Sequence, residues 1–170
     1  HGVRDTTYPV DAIDLKDAKD ARDRDQQDFR DKKDDRIKDL EKRFDPKRAD
    51  KIDSFFSRMA EKFTMTLERL SEFATRIEMR INRAAEEGKE VGPAREKLAQ
   101  AKEQIAQAGT HLKRAEDHYT ELTKTTDHKN AFERIRREVR ELGVSVEAAH
   151  KALVGTITTV KGLGMGYRRK

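Results

Sequence analysis

The stretch AREKLAQAKEQIAQAGTHLKRAEDHYTEL, residues 94–122, decides the fold, because its apolar residues recur at steps of three and four. That spacing places them on one face of an α-helix. Two heptad positions form the face: one holds Ala94, Ala101, Ala108 and Ala115, and the other holds Leu98, Ile105, Leu112 and Tyr119. Since small residues alternate with large ones, we expect a neighbouring helix to pack closely against this face.

The segments on both sides of this stretch have the same periodicity. The apolar positions before it are Ile52, Phe56, Met59, Phe63, Leu70, Phe73, Ile77, Ile81 and Ala84, and those after it are Phe132, Ile135, Val139, Leu142, Val146, Ala149, Leu153, Ile157 and Val160. Asp45-Pro46 and Gly92-Pro93 are start signals, and Gly88 is a stop signal. We therefore predict helices over 46–87, 93–124 and 127–162. Because the connections are short, consecutive helices must run antiparallel, which predicts an all-α, antiparallel three-helix coiled-coil bundle over 46–162.

A charged segment precedes this bundle. DLKDAKDARDR (14–24) aligns with DQQDFRDKKDD (25–35) at a shift of eleven residues, which is about three turns of an α-helix. Ala18, Phe29 and Leu40 share that shift, and Ile37 and Phe44 extend the thin apolar stripe. We therefore predict a long charged N-terminal helix over 11–44, after an extended segment at 1–10. Disorder is the alternative that the composition alone favours.

The thin stripe needs a surface to pack against, because an isolated charged helix is only marginally stable. We therefore predict that 11–44 is a docking arm. Its expected contact residues are Ala18, Phe29, Ile37, Leu40 and Phe44, together with Tyr8 in the extended segment. The sequence leaves open whether the arm docks on its own bundle, on a second copy or on another partner.

Charged residues make up 42% of the 170 residues and hydrophobic residues 34%, which favours thin seams between long helices. The first 50 residues hold 14 basic and 15 acidic side chains, and the rest hold 24 and 18, for a net charge of +5. A basic surface is predicted at Arg134, Arg136, Arg137 and Arg140 of the third helix and at Arg168, Arg169 and Lys170 of the C-terminal tail, 163–170. This surface allows a nucleic acid or another anionic polymer as partner. The glutamates mixed into it argue against that partner, and self-association through the arm is favoured.

No residue pattern indicates catalysis, a metal site or a cofactor. The chain has no cysteine, so it has no disulfide and no thiolate ligand. The arm aspartates wind round the helix with lysine or arginine between them, whereas calcium loops gather oxygens around one point. His111 and His118 are two turns apart, about 10.5 Å along the axis, which is too far to share one metal ion. We predict a non-enzymatic protein without metal or cofactor.

The segment 50–162 resembles uncharacterised exported helical-bundle proteins of small-genome bacteria. RIEMRINR (76–83), EEGKEVGP (86–93), REKLAQAK (95–102) and VEAAHKALV (146–154) carry the resemblance. It implies an exported helical bundle and no particular activity. The first residue is His1, which we interpret as the product of leader removal. We therefore expect an extracellular, cell-surface or periplasmic location. No apolar run reaches the roughly 20 residues of a membrane span.

Together these observations favour an exported structural or interaction protein that self-assembles through its arm, into an extracellular filament or surface layer. The alternative is a monomeric periplasmic or extracellular binding module, either chaperone-like or binding an anionic polymer. LTKTT (122–126) matches part of the L-T-x-x-Q signature of periplasmic stress-response chaperones but lacks the glutamine.

Overall fold

The computed structural model describes the backbone of residues 14–168 and the side chains of 14–163, and every regular element in that part is an α-helix. The helices are α1 (Leu15–Asp31), α2 (Lys33–Glu41), α3 (Pro46–Glu86), α4 (Gly92–Lys124) and α5 (His128–Arg168). The predicted all-α class is confirmed. Among the described helices, none has a stretch long and apolar enough to cross a membrane. The predicted extended segment 1–10, with Tyr8, lies outside the described residues.

The start of α1 and both ends of α3 have the capping residues that favour a helix end there. The Asp14 carboxylate accepts hydrogen bonds from the backbone N–H groups of Lys16 (2.9 Å) and Asp17 (3.3 Å) at the start of α1. Asp45 accepts from the Arg48 N–H at 2.9 Å, and Pro46 occupies the first turn of α3. Gly88 follows α3 with φ at 82°, a conformation that glycine adopts without strain.

The arm, described here over residues 14–44, contains two helices where the sequence predicted a single one over 11–44. Lys32 separates α1 from α2, with φ at −90° and ψ at 5°. The Lys32 N–H still donates to the Asp28 carbonyl (3.1 Å), so the break spans a single residue. The Phe29 carbonyl, which faces the break, accepts a hydrogen bond from the Arg36 guanidinium. A side chain thus satisfies a backbone group at the interruption.

Helices α3, α4 and α5, which we call the body, pack against one another, and α4 contacts both of the others along its length. The Lys102 ammonium of α4 lies 3.1 Å from the Glu78 carboxylate of α3. Towards α5, His111 pairs with Glu138 and Glu121 pairs with Arg134. The partner's number on α5 falls as the α4 number rises. All four alanines of the α4 stripe, Ala94, Ala101, Ala108 and Ala115, are fully buried.

The last helix is longer than its sequence signals indicate. We predicted a helix over 127–162 and a tail over 163–170, whereas α5 continues to Arg168. The β-branched run near its end is accommodated because Thr156 and Thr159 donate to the carbonyls of Ala152 (2.7 Å) and Gly155 (3.1 Å). Arg169 and Lys170 lie outside the described residues, and of Arg168 only the backbone is described.

Candidate functional site

The arm packs on the body of its own chain. Helices α1 and α2 contact α3 and α4, and in the described part of the chain the arm meets α5 through Phe44, whose ring lies 5.2 Å from that of His128. Of the residues predicted to dock, Leu40 is fully buried and Phe29 is nearly so. Ile37 and Phe44 are partly buried against the core, and Ala18 is half-exposed. We call the surface of α3 and α4 that receives the arm the arm site.

Half of the buried residues of the arm are polar, and sequence reasoning identified only Phe29 and Leu40 among the six. These six residues are Leu15, Arg22, Gln26, Phe29, Arg36 and Leu40. Leu15, Arg22, Phe29 and Arg36 are each seven residues apart, so the seam has the heptad period of the body and not the eleven-residue period of the aspartates. A search for apolar residues passes over Arg22, Gln26 and Arg36. Arg22 and Arg36 each lie seven residues from Phe29, and Gln26 lies fourteen residues from Leu40, so a heptad spacing was the signal that could have found them.

A buried ion pair lies at the centre of the arm site. The Arg36 Nε of the arm lies 2.8 Å from Oδ1 of Asp53 on α3, and both side chains are almost completely inaccessible to water. Asp53 also accepts hydrogen bonds from Ser57 Oγ (3.3 Å) and from the Tyr119 hydroxyl (2.6 Å). With the Phe29 carbonyl accepting from Arg36, this cluster joins α1, α2, α3 and α4. A buried pair is tolerated when its remaining hydrogen-bonding capacity is filled in this way.

Three aromatic rings enclose the pair. The Arg36 guanidinium lies 3.8 Å from the centre of the Phe29 ring. The Phe56 ring stacks on Tyr119 with centroids 4.3 Å apart, and Phe29 lies 6.2 Å from Tyr119. Burial, together with the hydrogen bond to the Asp53 carboxylate, raises the pKa of the Tyr119 hydroxyl above its ordinary value, so the phenol stays protonated. The rings exclude water and leave Arg36 with one geometry for contacting Asp53.

A second polar contact joins the arm to α4. The Gln26 amide donates a hydrogen bond to the buried carboxyl of Glu116. Burial raises the pKa of Glu116 to about 7, and the nearby carboxylates of Asp25 and Asp117 act in the same direction, whereas Gln26 and Lys113 act against it. The arm therefore packs against a carboxyl group that changes its charge near neutral pH.

The ends of the arm make weaker contacts with the body. Towards the start, the Arg22 guanidinium lies 3.5 Å from Ser71 Oγ, its Nε is buried without a hydrogen-bond partner, and burial lowers its pKa. At the other end, Arg43 donates to the carbonyls of Thr123 (2.7 Å) and Lys124 (2.5 Å). These are the last carbonyls of α4, which have no partner within their own helix.

The predicted basic surface is partly neutralised. Arg134 lies 3.6 Å from Glu121, and Arg136 lies 3.8 Å from Glu133 and 5.3 Å from the centre of the Phe132 ring. Arg137 and Arg140 are exposed on α5. The structure therefore gives a mixed-charge surface around α5, and the described residues do not form a continuous basic face there.

The two histidines seven residues apart on α4 share one carboxylate. Glu138 of α5 lies 2.8 Å from His111 Nδ1 and 3.8 Å from His118 Nε2. In the described part of the chain, no group of three or more His, Cys, Asp or Glu residues is arranged to hold a metal ion. This cluster therefore acts as a polar contact between α4 and α5.

Comparison with protein-family models, with curated proteins and with solved structures finds no match.

Proposed function

We propose that this chain is a non-enzymatic structural protein whose copies assemble by exchanging their N-terminal arms. In this proposal the body is an antiparallel three-helix bundle, and the arm is a fourth helical segment that lies against α3 and α4. The observation that carries the proposal is the buried Arg36–Asp53 pair, because it makes the arm site specific for one segment in one register. An exported location, as expected from the sequence, belongs to the same proposal.

The connection between arm and body allows this exchange. Residues 42–45 join α2 to α3, and no disulfide ties the arm down, because the chain has no cysteine. An arm released at this hinge exposes Phe29 and Leu40 to water and leaves Asp53 without its ion-pair partner. Both changes raise the free energy of the open form. The arm of a second copy satisfies the same groups with the same contacts. Reciprocal exchange gives a closed dimer, and exchange from each copy to the next gives a filament.

Fluorescence transfer between copies tests the proposal directly. Asp20 and Glu72 are exposed, and they lie near each other across the arm interface, since Lys19 is 3.9 Å from Glu68. Because the chain has no cysteine, Asp20→Cys and Glu72→Cys each give a single labelling site. Donor-labelled Asp20→Cys mixed with acceptor-labelled Glu72→Cys shows efficient energy transfer if an arm enters the arm site of another copy, because the two labels then lie close together. A doubly labelled single chain, diluted with unlabelled protein, is the control for docking within one chain.

A charge exchange at the buried pair gives a second, independent test. Arg36→Asp leaves two acidic groups in one arm site, and Asp53→Arg leaves two basic groups, so neither variant docks its own arm. In the mixture, each arm meets an oppositely charged group on the other variant, so exchange predicts a hetero-oligomer in sedimentation experiments. The double variant R36D/D53R tests whether the reversed pair is tolerated. Monomers at every ionic strength in all these mixtures would contradict arm exchange.

A monomeric binding module is the second candidate, because the arm is docked on its own body in this structure. A crevice of about 450 Å³ between α2 and the end of α4 is lined by Lys32, Lys38, Lys42 and Lys124, with Asp35 and Asp39 as the acidic lining residues. We propose that this crevice would hold an anionic polymer. Polyphosphate that binds the monomer, that dissociates with added salt and that binds Lys38→Glu and Lys124→Glu more weakly would favour this candidate.

A further inference from the structure

Helix α3 carries a second surface, away from the arm site. Phe55 follows Asp53 by two residues, so it lies about 200° further round the helix than the residue that contacts Arg36. Phe55 is 65% exposed, the largest exposure among the large hydrophobic residues described. Its ring lies edge-on to Phe56, with centroids 5.4 Å apart, and Phe56 stacks on Tyr119. Phe55 is therefore an exposed aromatic ring on a rigid support.

The residues around Phe55 form a shallow hollow of about 710 Å³ along α3. It is lined by Asp50, Lys51, Ser54, Phe55, Arg58, Met59, Lys62 and Phe63. Met59 and Phe63 form its apolar floor, since they are partly buried and packed against the core. A hole that receives a side chain from a neighbouring helix consists of four residues spaced i, i+3, i+4 and i+7. Residues 51, 54, 55 and 58 have this spacing, and so do residues 55, 58, 59 and 62.

The rim of the hollow is basic and unneutralised. Lys51, Arg58 and Lys62 surround Phe55, and none of them forms an ion pair with a described residue. Asp50 is the single acidic residue in the lining. A second copy docking here about a two-fold axis would bring this basic rim against itself, which costs energy. An acidic partner would instead neutralise three cations while covering the apolar floor.

We propose that this face of α3 is a docking site for an amphipathic helix of a partner protein, with apolar residues entering the two holes and acidic residues flanking them. Phe55 is the anchor of the interface, because exposed aromatic residues at the centre of a contact supply much of its binding energy. The basic rim orients the acidic partner helix and speeds its association with the site at low salt. The site is independent of arm exchange, since it lies on the opposite side of α3.

A synthetic peptide tests the site on the full chain. The probe is a fluorescein-labelled helical peptide with leucine at heptad positions a and d and glutamate at e and g. We expect Phe55→Ser to weaken its binding roughly thirtyfold or more. Met79→Ser, at another exposed apolar position of α3, is the matched control and leaves binding unchanged. Circular dichroism and unfolding curves verify that both variants remain folded, as expected for exposed side chains.

Charge reversal separates the electrostatic part from the apolar part. Arg58→Glu weakens binding of the glutamate peptide and strengthens binding of the same peptide with lysine at e and g. Equal binding by wild type and Phe55→Ser would overturn the proposal, as would equal affinity for the glutamate and lysine peptides.

If Phe55→Ser abolishes binding to phosphatidylglycerol vesicles while the peptide does not bind, the surface is a lipid contact instead. If Phe55→Ser abolishes self-association of the chain, the molecule that occupies the hollow is a second copy. Arm exchange between labelled chains stays intact in Phe55→Ser, so failure here is distinguishable from failure of the proposed function.

Discussion

The seam between α4 and α5 and the seam between the arm and the body both bury one helix face against another, but they bury different kinds of side chain. Between α4 and α5, fully buried alanines alternate with fully buried large residues such as Ile105, and α5 contributes Leu142 and Leu153. The arm instead buries Arg22, Gln26 and Arg36 beside its few apolar residues. Burial of an apolar seam stabilises the packing of two helices, but it constrains their register only weakly because the hydrophobic effect is non-directional. A polar seam adds less net stability but fits one register, because a slip leaves charges unpaired.

This contrast assigns different roles to the two seams. The body holds its helices together by burial, so it is expected to stay folded when the arm leaves. The arm is held by a few directional contacts, so it is expected to be the part of the molecule that opens first. A removable segment with a specific site is what arm exchange requires.

The largest effect is expected from breaking the buried pair on one side only. Asp53→Ala leaves the Arg36 charge and the Tyr119 hydroxyl buried without their acceptor. We expect a loss of about 3–5 kcal/mol in the free energy of arm docking, because an uncompensated buried charge is costly. Hydrogen exchange of the α1 and α2 amides measures this loss. Protection in α4 and α5 should change much less.

Replacing both members of the pair provides the matched control. Arg36→Met combined with Asp53→Leu removes both charges and keeps similar volumes, and it leaves neutral groups such as the Tyr119 hydroxyl unpaired in place of a buried charge, so docking is expected to weaken less than in Asp53→Ala. The specificity should also fall, with arms docking in more than one register. Docking in the double variant as weak as in Asp53→Ala would show that the pair contributes stability beyond its own desolvation cost.

A smaller, pH-dependent effect is expected at Glu116. Its pKa is raised to about 7 in the folded chain against an ordinary value of 4.5, so folding favours the protonated carboxyl. Below pH 4.5 the group is protonated whether or not the arm is docked, and no penalty exists. As the pH rises from about 4.5 to 7, the docked form keeps a proton that the open form has lost, so stability falls, by up to about 3 kcal/mol in total.

Glu116→Gln isolates this contribution. The amide keeps the shape of the protonated acid and can still accept from Gln26, so docking of the variant should lack the decline between pH 4.5 and 7. Denaturant midpoints of wild type and variant, compared at both ends of this range, measure the difference. Glu103→Gln is the control, since Glu103 is an exposed acid of the same helix and is not among the groups that shift the pKa of Glu116. Parallel curves for wild type and Glu116→Gln would contradict a titrating group at this contact.

Overpacking the apolar seam is expected to cost about 1–3 kcal/mol. Ala108 is fully buried on α4, and a leucine there has no free volume to occupy without moving the facing helix. Chemical unfolding of Ala108→Leu measures the cost. Gln107→Leu, one residue away on the exposed side, is the control and should leave stability nearly unchanged. Equal stability of the two variants would mean that the alanine stripe is not a close contact.

The two seams also differ in how far the sequence predicts them. Every residue of the predicted α4 stripe is buried, because burial there requires apolar residues and their spacing is visible. The arm was predicted to be helical and to dock through Phe29 and Leu40, both of which are buried. Arg36 was missed, because its heptad spacing from Phe29 is its one mark in the sequence and an arginine in a charged helix otherwise looks exposed. Its partner Asp53 lies 17 residues away on another helix, and their pairing depends on the fold.

The same limit applies to the break at Lys32 and to the acidic residue Glu116. The break follows a charged run that has no proline or glycine, so the sequence has no signal for it. Glu116 lies one residue after the alanine stripe and looks like an exposed helix residue, yet the arm covers it. In both cases the arm determines the environment, and the position of the arm follows from packing that a linear pattern does not contain.

The smallest effect is expected where the end of the arm meets the end of α4. Arg43 donates to the carbonyls of Thr123 and Lys124, and a positive charge at a helix C-terminus is favourable. Arg43→Leu removes these bonds at a partly exposed position, so we expect a loss of about 1 kcal/mol in docking. Arg137→Leu, on the exposed face of α5, should change docking by less than about 0.5 kcal/mol. Because the loss falls at the hinge, Arg43→Leu should also speed the appearance of energy transfer between labelled copies. An unchanged exchange rate would place the opening step elsewhere in the arm.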